Sequence, residues 1–166
     1  MTYQVTDERI GTQPIADTST TQNHPLGTIV RAVDPTYGEG EFIYLLGVAS
    51  TVVGSLVEYN ATTYQTALSA NTANKVGPVA VAMSANVAAG YGWYQIGGLA
   101  VIKKTNVTWE PQIAVFQSAT TGRVMDTVVT GKPILGARSA NLTTVTSTTS
   151  TIVVSINRPS KQGQVI

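Results

Sequence analysis

The chain has 166 residues, no cysteine, one histidine (His24), a formal net charge of +1, and charged side chains at only 11% of its positions. Enzymes need acids, bases, nucleophiles or metal ligands held close together, and this composition supplies few of them. We therefore expect a non-enzymatic protein with no catalytic residues, no cofactor and no metal. Its role would be to present a surface to other molecules.

The charge distribution and the first residues of the chain indicate which partners the protein has and in which compartment it is made. The ten basic residues are dispersed along the chain, whereas direct nucleic-acid binding needs them concentrated on one face. No run approaches the roughly 18 apolar residues that cross a bilayer, and the first ten residues lack the features of a signal peptide. A chain without cysteine suits a reducing compartment. We expect synthesis in a cytoplasm, with neither nucleic acid nor membrane as a partner.

Residues 1–25 differ in texture from the rest, because they are polar, rich in turn-forming residues and without a sustained apolar period. Val5, Ile10 and Ile15 recur every five residues, a spacing that suits neither a helix face nor a strand face. We expect an extended N-terminal arm whose apolar side chains enter pockets of a partner, with Arg9 as a polar contact. A disordered chain terminus is the alternative interpretation.

After residue 25, short runs of β-branched and aromatic residues alternate with turn-forming residues about every ten positions. This spacing predicts an all-β domain at 26–158, a compact β-barrel or β-sandwich, followed by a C-terminal tail at 159–166. The best helical candidate, 64–73, is weakened by its Thr and Asn content. The Thr-rich stretch 141–151 suits an exposed hairpin or an edge strand. The predicted strands are 28–33, 41–49, 56–59, 79–84, 92–96, 99–103, 113–117, 123–129, 134–137 and 151–156.

A faint internal repeat crosses this domain. The phrase Gly-Val-Ala at 47–49 precedes a predicted strand that ends in Ala-Thr-Thr at 61–63. The phrase Gly-Leu-Ala at 98–100 likewise precedes a strand that ends in Ala-Thr-Thr at 119–121. This pattern predicts two related halves of one barrel, with chance similarity in a Thr- and Ala-rich chain as the alternative.

The aromatic stretch 90–98 lacks the glycine spacing of a nucleotide-binding loop. As a strand, it places Tyr91 and Trp93 on one face and Tyr94 and Ile96 on the other. One row is expected to pack in the core. Exposed aromatic surface on a weakly charged chain is typical of subunit contacts, so Tyr91 and Trp93 are our candidates for a subunit interface. Burial of both rows is the alternative.

The densest acidic cluster comprises Asp34, Glu39 and Glu41. Carboxylates at this spacing suit glycoside hydrolysis or calcium binding, but the run lacks the regular ligand rhythm of a calcium loop. Asp34 followed by Pro35 is more typical of the start of a turn. His24 has no second histidine or cysteine with which to hold a metal. We interpret both features as parts of loops.

Short phrases spread over residues 25–159 suggest a relationship. They are PLGTIVRAVDPTYGEGEFIYLLGVAS at 25–50, KVGPVAVAM at 75–83, GWYQIGG at 92–98, PILGAR at 133–138 and INRP at 156–159. Together these phrases resemble the capsid decoration, or cement, proteins of tailed bacteriophages, and residues 1–24 lie outside the resemblance.

This resemblance implies a β-rich structural protein of the virion, made in the bacterial host cytoplasm and bound to the outer capsid surface of an expanded head. It implies two partners, the major capsid protein and further copies of this chain in a homotrimer. The decoration would stabilise contacts between capsid subunits, because many copies around a closed shell multiply a modest contact.

Two other classes of function remain open from the sequence. A receptor- or carbohydrate-binding module of a phage tail fibre or spike would use exposed Trp93 and Trp109 to stack on sugar rings. A small hydrolase would use the carboxylates of Asp34, Glu39 or Glu41.

Overall fold

The computed structural model describes residues 4–5, 11–146 and 150–163, and every regular element within them is a β-strand. The all-β class predicted from the sequence is thereby confirmed. The strands are β1 (Gln4–Val5), β2 (Thr18–Ser19), β3 (Ile29–Asp34), β4 (Gly38–Leu46), β5 (Leu56–Tyr59), β6 (Thr66–Leu68), β7 (Val76–Ala82), β8 (Tyr91–Lys103), β9 (Thr108–Trp109), β10 (Ala114–Gln117), β11 (Val124–Met125), β12 (Pro133–Ser139), β13 (Val145–Thr146) and β14 (Thr151–Gln162).

Twelve of these strands belong to one sheet with antiparallel pairings between its strands, whereas β9 pairs only with β13. Successive side chains of β4 show how the sheet is covered on both sides. Phe42 and Tyr44 pack into one apolar cluster, and Ile43 and Leu45 pack into another. A strand exposes alternate side chains to opposite faces, so the run predicted to be buried on both faces is buried in that way. The arrangement is consistent with a sandwich-like fold.

Five strands form a first unit whose pairings lead back to their starting point. From β4 the pairings run to β8, then to β7, β5 and β6. A parallel bridge between Leu46 and Gln65 returns β6 to β4, and the Leu46 amide donates to the Tyr64 carbonyl at 3.1 Å. Side chains of these strands, Leu45 and Tyr94 among them, form one buried cluster. We name β4 to β8 the first unit.

A second unit repeats this scheme and shares β8 with the first. From β8 the pairings run to β14, β12, β10 and β11. A parallel bridge between Lys104 and Val124 leads back, and the Thr105 amide donates to the Val124 carbonyl at 3.1 Å. The buried cluster on these strands includes Ile102 and Val154.

The register of the two units agrees over most of their length. Most residue pairs of the first unit have a counterpart in the second at a constant shift along each strand, and the agreement ends at the irregular pairings of Phe116 with Pro133 and of Glu41 with Gly97. Counterpart pairs are Tyr59–Thr66 and Gln117–Val124, Leu56–Val81 and Ala114–Arg138, Ala82–Tyr94 and Ser139–Val154, and Tyr44–Trp93 and Val101–Val153.

The sequence repeat finds part of this duplication. The Ala-Thr-Thr segments at 61–63 and 119–121 are counterparts, exposed in turns between equivalent strands. The phrases at 47–49 and 98–100 are not counterparts, because the first follows the end of β4 and the second lies inside β8. The observed repeat consists of two units that share a strand, in place of two halves of one barrel.

Several predicted elements differ from the observed ones. The last strand, predicted at 151–156, continues to Gln162 and includes residues expected in the C-terminal tail, and the strand predicted at 123–129 is only Val124–Met125. The helical candidate 64–73 contains strand β6, because Thr66–Leu68 pair with β5. The predicted strands 92–96 and 99–103 are one continuous strand, because the two glycines between them stay in the sheet. Gly97 pairs with both Glu41 and Asn157, so it is the residue at which β8 passes from the first unit to the second.

Gly98 is required at this junction for two reasons. Its φ of +92° is a conformation that side chains with a Cβ rarely adopt, and a Cβ there would lie 2.4 Å from the Glu39 carbonyl oxygen. Gly38 shares only the first constraint, since its φ is +73° and nothing lies within 4 Å of a Cβ built on it.

We predict that Gly98→Ala lowers the free energy of unfolding by about 3 kcal/mol or more, because backbone strain and a steric clash combine. Gly38→Ala is the matched control and should cost about 1–2 kcal/mol, the strain alone. Urea unfolding followed by tryptophan fluorescence measures both values. Equal losses for the two variants would show that the junction is not crowded as described.

Candidate interaction surfaces

The N-terminal segment, residues 11–26, lies on the outer face of the first unit. Ile15 is only 2% exposed and packs in the same cluster as Trp93. Strand β2 pairs with the start of β8 through Thr18 and Ser19. The predicted arm is therefore attached to its own domain over its second half. The physical reason is that the aromatic face of β4 and β8 offers an apolar surface to the nearest aliphatic side chain.

An aromatic cluster underlies this segment. The Trp93 Nε1–H donates to the Gln13 carbonyl at 3.0 Å, and His24 Nε2 accepts from the Gln13 amide at 3.2 Å. The His24 ring meets Tyr44 edge-on, with ring centroids 5.1 Å apart, and Tyr91 stacks on Tyr44 at 6.2 Å. These contacts make His24 a structural group that holds the segment, in agreement with its interpretation as part of a loop.

Tyr44 stands at the centre of the cluster and is fully buried. Its hydroxyl accepts a hydrogen bond from the Asn23 amide at 3.3 Å. Burial raises the pKa of Tyr44 above its ordinary value, and the bond from Asn23 partly offsets that rise. The phenol therefore stays protonated in the folded protein at neutral pH.

The structure relocates two of the predicted contact residues. Ile15 packs in the chain's own core, and Trp93 is 0% exposed. Neither side chain therefore lies on the surface, where a capsid or a second subunit could contact it. Tyr91 is half-buried against Tyr44. Both aromatic rows of β8 are thus covered, one of them by residues 11–26.

The remaining arm residues lie at or beyond the edge of the described chain. Val5 belongs to β1 and pairs with Ala32 of β3. Arg9 and Ile10 lie outside the described residues, so their contacts stay predictions.

We predict that Trp93→Phe loosens the N-terminal segment, because it removes the hydrogen bond to Gln13 along with ring volume. Residues 11–25 contain no Lys or Arg for trypsin to cut. Limited proteolysis with a protease of broad specificity should therefore be used, and it should cleave within 11–25 several times faster in the variant than in the wild type. Trp109→Phe is the matched control, since Trp109 is equally buried but its Nε1 has no hydrogen-bond partner among the described residues. Equal cleavage rates in the two variants would mean that the Trp93–Gln13 bond does not hold the segment.

The acidic cluster is divided between a turn and a set of ion pairs. Asp34 is buried, and its Oδ1 accepts from the amides of Thr36 and Tyr37 at 2.8 and 3.0 Å, as expected of a residue that begins a turn. Glu39 and Glu41 each lie 3.6 Å from the Arg31 guanidinium, a surface arrangement.

Metal sites, membrane spans and sugar-binding surfaces each need particular side chains or elements within the described residues. No group of three or more His, Asp or Glu side chains there is placed to hold a metal ion. No helix there has the length and apolar character to cross a bilayer. Trp109, like Trp93, is 0% exposed, so neither tryptophan presents a ring on which a sugar can stack.

Exposed valines gather on three adjoining loops. Val53, Val107 and Val128 are 49%, 52% and 80% exposed, and Val52 precedes Val53 in the same loop. Asn106 Nδ2 donates to Thr127 Oγ1 at 3.0 Å and so connects the loops of Val107 and Val128. The loop of Val53 contacts the end of β8, just before the loop of Val107, because the Lys103 amide donates to the Gly54 carbonyl at 2.9 Å. We name Val52, Val53, Val107 and Val128 the valine loops.

Sequence reasoning did not find the valine loops. Their residues are single or paired valines between turn-forming residues, so no periodic pattern marks them. The sequence shows only that apolar residues lie inside predicted loops. These residues indicate a surface once the structure shows that the loops are neighbours. Apolar side chains grouped on a surface indicate a contact with another molecule.

The chain matches no protein-family model, no curated protein and no solved structure.

Proposed function

We propose that this chain is a non-enzymatic capsid decoration protein. It binds the outer surface of an expanded bacteriophage head and stabilises contacts between subunits of the major capsid protein. The observation that carries the proposal is the set of valine loops, where four of the exposed large apolar side chains lie on neighbouring loops; the other exposed ones among the described residues are Val33, Val76, Val87, Leu135 and Leu142. The resemblance of residues 25–159 to phage cement proteins supports the choice of partner.

The fold suits such a role physically. Sheet pairing and two apolar clusters stabilise a surface that need not change shape on binding. In a virion, contacts of modest strength suffice, because a shell binds many copies and holds them in a closed arrangement.

Self-association is the role we assign to the valine loops. A homotrimer uses a heterologous contact that closes after three copies, and exposed apolar loops provide one side of it. Arg9 and Ile10 remain our candidates for contact with the capsid. Ile15 takes a different role, because its side chain holds the N-terminal segment to its own sheet.

The direct test is the copy number of this protein in purified virions of the virus that encodes it. Quantitative mass spectrometry against the major capsid protein should find hundreds of copies in a simple ratio to capsid subunits. A handful of copies would point to a tail fibre or spike. Absence from the particle would overturn the proposal.

We predict that Val128→Asp weakens self-association at least tenfold, because it introduces a charge into an apolar contact. Val76→Asp is the matched control: Val76 is also 80% exposed but belongs to β7 and not to the valine loops. Sedimentation velocity over a concentration series measures the equilibrium for each variant. If both variants associate like the wild type, the valine loops are not the subunit contact.

A further inference from the structure

The two units have equivalent outer faces that are covered differently. In the first unit, Phe42, Tyr44 and Trp93 are 0% exposed beneath residues 11–26. The register of the sheet gives their counterparts in the second unit, listed here in the same order: Leu99, Val101 and Val153. All three counterparts remain partly exposed.

Charge distinguishes this second face from the first. Lys103 and Arg138 lie at its borders, at the positions that Leu46 and Val81 occupy in the first unit. Neither cation forms an ion pair within the part of the chain that the structure describes. An aliphatic centre with unpaired cations at its borders is complementary to a ligand that carries aliphatic side chains and carboxylates.

A groove on the same face indicates the shape of the ligand. It is lined by Gly136, Arg138, Ser155 and Asn157 of the neighbouring strands β12 and β14, together with Ala137. An extended peptide can bind a sheet surface through its backbone and alternate side chains, which suits a groove between neighbouring strands.

The first unit provides the example of how such a face is occupied. There an extended segment contributes a buried aliphatic anchor, Ile15, with Leu26 packed against the same cluster, and a two-residue strand, β2, that pairs with β8. The second unit has the same strand register beneath its outer face, with smaller side chains in place of the aromatic ones.

We propose that the outer face of the second unit, formed by Leu99, Val101 and Val153 between Lys103 and Arg138, binds an extended acidic segment of the major capsid protein. The segment lies as residues 11–26 lie on the first unit. This inference rests on the proposed function and deepens it, since it names the surface and the chemistry of the capsid contact.

The test measures binding to purified heads that lack this protein, from the virus that encodes it. The double variant Lys103→Glu, Arg138→Glu should bind at least about tenfold more weakly than the wild type, because attraction is replaced by repulsion. Lys75→Glu, Lys132→Glu is the matched control, since it changes the net charge equally at two cations away from this face. It should bind within about twofold of the wild type.

The milder variant Lys103→Gln, Arg138→Gln repeats the measurement without charge reversal, and thermal unfolding of every variant shows that it is folded. A photoreactive residue in place of Val153 should cross-link to the capsid subunit, within an acidic segment identified by mass spectrometry. A cross-link to another copy of this chain would overturn the inference.

The outcomes separate the two proposals. If the wild type does not bind heads, the proposed function fails and the inference fails with it. If the wild type binds and the face variants bind equally well, the function stands and this surface is not the capsid contact. Weakening of the face variants alone supports both.

Discussion

The double use of strand β8 is the constraint on which the rest of the structure depends. Its first half pairs with β4 and β7, and its second half pairs with β14. Gly97, where the partners change, pairs with Glu41 of β4 and with Asn157 of β14. Gly98 then takes a positive φ against the Glu39 carbonyl. Because one strand belongs to two units, the clusters of both units depend on the same backbone.

Duplication explains how a chain with few charged residues builds two surfaces of different character. Both units keep the same register over most of their length, so their inner faces are apolar at equivalent positions, such as Leu45 and Ile102. Outer positions differ between the units: Val81 of the first unit packs in the cluster that contains Ile102, whereas its counterpart Arg138 is a border cation of the second face. The first unit carries large aromatic residues that retain the N-terminal segment, and the second carries smaller aliphatic residues with Lys103 and Arg138 beside them.

A protein that binds a repeating lattice benefits from this division. One outer face is occupied by residues 11–26 of the chain itself, while the other face and the valine loops carry exposed side chains. These two surfaces meet at Lys103, whose amide donates to the Gly54 carbonyl beside Val53. Our proposals assign the second unit's outer face to the capsid and the valine loops to self-association.

The sequence by itself determined the all-β class, most strand positions and the alternation of Trp93 and Tyr94 between opposite faces, because β-branched runs, turn residues and a period of two are local properties. It also marked the Ala-Thr-Thr turns of the repeat. Only the tertiary structure decided that Ile15 and Trp93 are buried together and that the valine loops adjoin. Burial depends on which segments meet in space, and residues as distant along the chain as Gln13 and Trp93 give no local sign of their contact.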